Sequence, residues 1–198
     1  MDCSSWICRL YAASGWKRAV IVWMVMMLVL WGSFGLATLV YPAAFAGETK
    51  APGAGRLSGV ALFGYIVLMN GVVLLLVAGG NLFARFGVIT PGLVVLLWQG
   101  VQIGWMAGSN GFETPFATML AANLAFLRVG LWETSAYALV CAVTLPKSLL
   151  ISKTFPPKEW SEQRQWSDIR LDRQEMIVVM LAVLMWLGAA ISETLVVT

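Results

Sequence analysis

Residues 59–78 read GVALFGYIVLMNGVVLLLVA, a run without a single charged side chain and with one strongly polar residue, Asn70. Coiled as an α-helix, a run of this length reaches about 30 Å, the thickness of the hydrocarbon core of a bilayer. Further runs of the same kind lie on both sides of it. The chain is 60% hydrophobic and 12% charged, with a mean hydropathy of +0.81. A soluble domain carries about 25% charged residues. The expected fold class is therefore all-α, a multi-pass transmembrane helical bundle.

Working outward from residues 59–78, the apolar runs predict spans over about 19–41, 59–78, 88–107, 131–150 and 175–191. Residues 1–18 precede them. In that segment Trp6 and Leu10, and Ile7 and Tyr11, are spaced four apart, as on one face of a helix lying along the membrane surface. The first run ends at Pro42 and Ala44-Phe-Ala46, which imitates a signal-peptidase site. It exceeds the 7–15 apolar residues of a signal sequence, so it reads as a retained anchor. A polar loop with Gly and Pro fills 47–58. Pro91 falls in the first turn of the third span, where proline is tolerated.

The stretch from Pro115 to Ile151 is too long for one ordinary span and short for two. Its first piece, 116–127, covers only about 18 Å as a helix. It is expected to be a re-entrant half-helix, or the first part of one long broken helix. A hydrophilic segment, 152–174, follows the fourth span. With the N-terminus in the cytoplasm and 116–127 re-entrant, ten of the 13 basic residues fall on the cytoplasmic side. They are Arg9, Lys17, Arg18, Arg85, Lys147, Lys153, Lys158, Arg164, Arg170 and Arg173. Lys50 and Arg56 fall outside. The excess of basic residues on cytoplasmic loops favours this orientation and puts the C-terminus outside the cytoplasm. The expected location is the plasma (inner) membrane of a prokaryote.

Composition also removes whole classes of chemistry. There is no histidine, hence no Ser-His-Asp triad and no imidazole ligand for a metal or haem. Aspartate occurs only at positions 2, 168 and 172, outside the spans. No P-loop or GxGxxG motif occurs. Of the three cysteines, Cys141 sits in an apolar run as a core residue. Cys3 and Cys8 lack the further Cys or His of a zinc site. The basic residues form no stripe with interleaved aromatics, so no nucleic-acid partner is expected. The chain reads as neither an enzyme nor a cofactor or metal carrier. Its expected partners are the lipid bilayer, other membrane proteins in a hetero-complex, and further copies of itself.

What remains is a small set of polar residues inside apolar runs, where such groups are costly and tend to be functional. Arg128 and Glu133 bracket Gly130. They read either as a site at the end of a half-helix or as a salt bridge fixing the broken helix. Glu193, near the end of the last span, either pairs with Arg128 or meets solvent. Asn70, Gln99, Gln102 and Asn123 are neutral. Gln99 and Gln102, three apart, share a helix face and serve as inter-helix hydrogen-bonding groups or line a polar path. Gly100, Gly104 and Gly108 form two overlapping small-xxx-small patterns, a face for close helix approach.

The order of motifs resembles a known family. Asn70-Gly71 is followed by Gly87-Val-Ile-Thr-Pro91-Gly92, then Leu96-Leu-Trp-Gln99-Gly100 with Gly104, then Arg128-Val-Gly130-Leu-Trp-Glu133-Thr-Ser-Ala136. Over about 59–193 this is similar to the stage II sporulation protein M family of integral membrane proteins. That family has an Asn-Gly pair in the third of these elements. A Pro-His-Gly-x-x-Glu motif opens the next helix, and a Glu stands near the end of the last span. Gly130 and Glu133 match the Gly-x-x-Glu part and Glu193 the terminal acid. Arg128 stands at the Pro, Val129 at the His, and Gln99 at the Asn. The resemblance implies a non-catalytic membrane subunit that scaffolds or anchors partner proteins. Two other expectations stand beside it. One is a small oligomeric transporter or channel, motivated by Arg128 and Glu133. The other is an accessory subunit of a respiratory or photosynthetic complex.

Overall fold

A computed structural model describes residues 6–46, 58–112 and 114–197. The expected loop at 47–58, apart from Ser58, and Cys3 lie outside these residues. The protein is mostly helical: α1 (Trp6–Ala12), α2 (Gly15–Val40), α3 (Gly59–Phe83), α4 (Pro91–Gly108), α5 (Met119–Ala125), α6 (Leu131–Thr144) and α7 (Arg173–Val197). Four helical stretches are long and apolar enough to cross a membrane: Gly15–Val40, Gly59–Phe83, Met119–Lys147 and Arg173–Leu195. The third expected span, α4, falls outside this set. It has 18 residues, about 27 Å at 1.5 Å per residue, and Gln99 and Gln102 dilute its apolar character.

Of the two expectations for the region 116–151, the structure has the long interrupted helix and not the re-entrant half-helix. Residues 119–147 form one continuous helical rod. A single π turn, Phe126–Gly130, joins α5 to α6, and the Leu131 N–H donates to the carbonyl of Phe126 five residues back. Gly130 takes right-handed helical angles, φ −62° and ψ −33°, so the chain continues where a re-entrant turn was expected. The extra residue is absorbed as a local bulge. The continuous helix keeps Lys147 and the segment after it at the same end of the bundle as Arg18. The positive-inside count does not need re-entry.

Helix starts are set locally. Thr90 caps α4 by accepting from the Leu93 N–H, with Pro91 as the first helical residue. Thr118 does the same for α5 through Ala121. At α7 the Asp172 carboxylate accepts from the Glu175 N–H at 2.8 Å, and the Glu175 carboxylate accepts from the Asp172 N–H at 3.1 Å. This reciprocal pair satisfies two amides that the helix leaves open.

The tightest helix contact is between α2 and α4. Gly100 faces Met26 and Val29, Gly104 faces Leu30 and Phe34, and Gly108 faces Phe34 and Ala37. Both partners advance together along the chain, so the two helices run parallel. A methyl group on Gly104 would collide with the Leu30 carbonyl oxygen, and one on Gly108 with that of Phe34. The small-xxx-small face thus meets backbone, the arrangement that such spacing permits. A second close approach brings Gly80 of α3 against Gly92 of α4. Gly71 packs on the Trp186 ring, while Gly79 meets nothing within 4 Å.

α3 continues to Phe83, past the expected end at residue 78, because Asn81 is held inside. Its amide donates to Thr144 Oγ1 at 2.9 Å and to the Cys141 carbonyl at 3.3 Å, and its side-chain oxygen accepts from Thr90 Oγ1 at 2.5 Å. Ser148 Oγ donates to the Asn81 backbone carbonyl at 2.7 Å. These bonds tie α3, α4 and α6 at one end. The same end carries a small sheet that the sequence reading did not anticipate, ordered β1-β2-β3. β1 (Ala84–Phe86) pairs parallel with β2 (Leu150–Ser152), Arg85 opposite Ile151. β3 (Ser161–Glu162) adds antiparallel to β2, Ser161 opposite Ile151. The sheet clips the hydrophilic segment back onto the end of α3. Phe86 contacts Phe155 and Trp160 edge to face, with centroids 5.6 and 5.3 Å apart.

Candidate functional site

Two groups of polar side chains sit inside the bundle, one at each end. At the sheet end, Glu175 on α7 lies between Arg18 on α2 and Lys147 after α6. Its two oxygens are 2.8 Å from Arg18 Nη2 and 2.8 Å from Lys147 Nζ, and all three side chains are buried. Two cations against one carboxylate leave one positive charge in excess. Backbone carbonyls at the ends of helices and loops face that excess. Arg18 donates through Nε to Ala142 and through Nη1 to Ala13, and Lys147 donates to Arg170. The Ala142 carbonyl lies in the last turn of α6, where the helix dipole favours cations. This cluster fastens α2, α6 and α7 together. Nearby, the Arg85 guanidinium stacks 4.6 Å over the Tyr11 ring, and the Tyr11 hydroxyl donates to the Val88 carbonyl. These contacts dock α1 against the same end.

At the opposite end the structure brings together four of the residues singled out in the sequence. Gly130, Glu133 and Glu193 line a cavity of about 360 Å³ between α4, the π turn and α7. Asn70 on α3 lies beside the Glu133 side chain, outside that lining. Tyr137, one helical turn after Glu133, donates to its Oε1 at 2.6 Å. The Glu193 carboxylate is close enough to Glu133 for the two to repel. Phe112, Phe116 and Phe126 supply aromatic walls. Gly130 has a steric role here: a methyl group at that position would come within 2.6 Å of the Phe126 ring.

Arg128 does not join this group. Its side chain is exposed, and its backbone carbonyl accepts from Ser192 Oγ at 3.3 Å. Among the described residues Arg128 forms no ion pair with Glu133 or Glu193. Five positions apart on a rod of helix, Arg128 and Glu133 point to different sides. Asn123 is half-buried, as is Gln99. Gln102 is exposed on α4 in line with Val94, Trp98, Val101, Trp105 and Met106. Neither Gln amide has a hydrogen-bond partner among the described residues. Gln102 therefore lies on the outward face of α4, with Gln99 half-buried beside it.

The sequence reading missed Arg18, Lys147, Glu175, Asn81 and Tyr137. Arg18 and Lys147 looked like ordinary cytoplasmic charges at span ends. One signal was available for Glu175: the Asp172-x-x-Glu175 spacing before an apolar run marks a capped helix start. Among the described residues, no three His, Cys, Asp or Glu side chains gather where a metal ion could sit. Compared with known proteins, the chain matches no family model, no curated protein and no solved structure.

Proposed function

We propose that this protein is a non-catalytic membrane subunit that holds other membrane proteins through the outward face of α4. The observation that carries the reading is the stripe of Val94, Trp98, Val101, Gln102, Trp105 and Met106, all exposed, with an unpartnered amide in its midst. In hydrocarbon an amide without a partner is costly, and a Gln on such a face hydrogen-bonds to a neighbouring helix. In this reading α4 crosses the membrane as the third of five spans. The sheet end, with Arg18, Arg85, Lys147 and the 150–172 segment, faces the cytoplasm of a prokaryotic cell. The resemblance to the stage II sporulation protein M family, through Gly130, Glu133 and Glu193, accords with a scaffolding role.

Purification of the tagged protein in a mild detergent is expected to yield a stoichiometric set of other membrane proteins. Their identity, pigmented complex or not, separates a scaffold from an accessory subunit of a respiratory or photosynthetic assembly. Gln102→Leu is expected to weaken the association by about 0.6–1.7 kcal/mol, the worth of an inter-helix hydrogen bond in a membrane. A homogeneous preparation of this chain alone would overturn the reading. The carboxylate-lined cavity favours a second reading, a small oligomeric transporter, and solute flux into proteoliposomes would then be the deciding assay.

A further inference from the structure

We propose that the cavity at the end opposite the sheet is a binding site for an organic monocation, an ammonium or guanidinium group on an apolar body. Its volume of about 360 Å³ falls within the range of small-molecule pockets, about 300–1,000 Å³. Three features of its lining select the class of ligand. Phe112, Phe116 and Phe126 present aromatic rings, which bind apolar bodies and attract cations over their faces. Glu133 and Glu193 come from different helices, 60 positions apart in sequence, and both reach the same space. The one hydrogen bond to Glu133 among the described residues comes from a neutral group, Tyr137, and Glu193 accepts none from a described residue.

Two carboxylates facing one cavity repel, and a cation between them relieves the repulsion. No cation of the described protein does so. Arg128 is exposed outside the cavity, and the buried Arg18 and Lys147 pair with Glu175 at the other end. An inorganic ion suits the site poorly, since calcium or magnesium takes six or more oxygen ligands and most of this lining is carbon. An organic cation uses both halves of the cavity, the charge against the carboxylates and the body against the rings. This inference is independent of the α4 face, so a partner-binding defect at Gln102 has no bearing on it.

The test uses the full chain in phosphatidylcholine nanodiscs. Tritiated phenethylammonium is the probe and 2-phenylethanol its neutral counterpart, with equilibrium dialysis against protein-free discs as the baseline. One saturable site per chain is expected for the ammonium and none for the alcohol. Glu133→Gln and Glu193→Gln are each expected to weaken binding at least tenfold, and the two together to abolish it. Val129→Trp, which fills the cavity and keeps both carboxylates, is expected to abolish it as well. The wild-type comparison of the two probes depends on no variant folding correctly. Equal uptake of the two probes, or no saturable uptake above the protein-free discs, would overturn the assignment. So would binding that survives in the double Gln variant or in Val129→Trp when these elute as the wild type does.

Discussion

Glu175→Gln is expected to destabilise the protein by about 3–5 kcal/mol, the cost of removing one partner from a buried ion pair. Glu175 is the one carboxylate between Arg18 and Lys147, and all three side chains are less than a tenth exposed. The substitution leaves two buried cations held only by backbone carbonyls, Arg18 by those of Ala13 and Ala142 and Lys147 by that of Arg170, with no anion between them. It also weakens the reciprocal cap that starts α7, in which Glu175 accepts from the Asp172 N–H. Denaturant unfolding in detergent micelles measures the effect. A second change, Lys147→Met in the Glu175→Gln background, is expected to recover part of the loss because it removes the surplus cation. A loss below about 1 kcal/mol, the scale of an exposed salt bridge, would show that water reaches the cluster and that it does not fasten the bundle.

Gly104→Ala is expected to cost about 1–3 kcal/mol, the usual penalty for forcing atoms into a packed contact. The added methyl group meets the Leu30 carbonyl and lies 3.0 Å from the Phe34 nitrogen. Backbone cannot rotate aside as a flexible side chain can, so α2 and α4 must move apart. Gly32→Ala is the matched control. It lies on α2, and nothing is within 4 Å of the position its methyl group would take. There the gain in helix propensity, up to about 1 kcal/mol, is unopposed. The two substitutions are thus expected to move thermal stability in opposite directions. If Gly104→Ala is as mild as Gly32→Ala, the parallel contact between α2 and α4 is looser than the packing indicates.

The opposite end makes a different point about what can be inferred from residue order. Arg128, Gly130 and Glu133 are neighbours in sequence and invite a reading as one unit. The π turn after Phe126 keeps them on a continuous rod, and a rod distributes successive residues around its circumference. Glu133 therefore meets Asn70, Tyr137 and Glu193, while Arg128 is left outside. A sequence neighbour became irrelevant to the site, and a residue 60 positions away became part of it.

The helices, their apolar character and the close-approach face of Gly100, Gly104 and Gly108 were legible in the sequence alone. Helix period, span length and small-residue spacing are local properties, dictated by backbone geometry and the length of the apolar runs. Gly130, Glu133, Glu193 and Asn70 could be singled out for the same reason, since a polar residue in an apolar run stands out locally. Which of them share a cavity, the pairing of Arg18 and Lys147 with Glu175, and the sheet joining residues 84–86 to 150–152 were decided only by the tertiary structure. Each depends on which helix faces which and at what depth. That arrangement is set by packing between segments distant in the chain, and no local pattern encodes it.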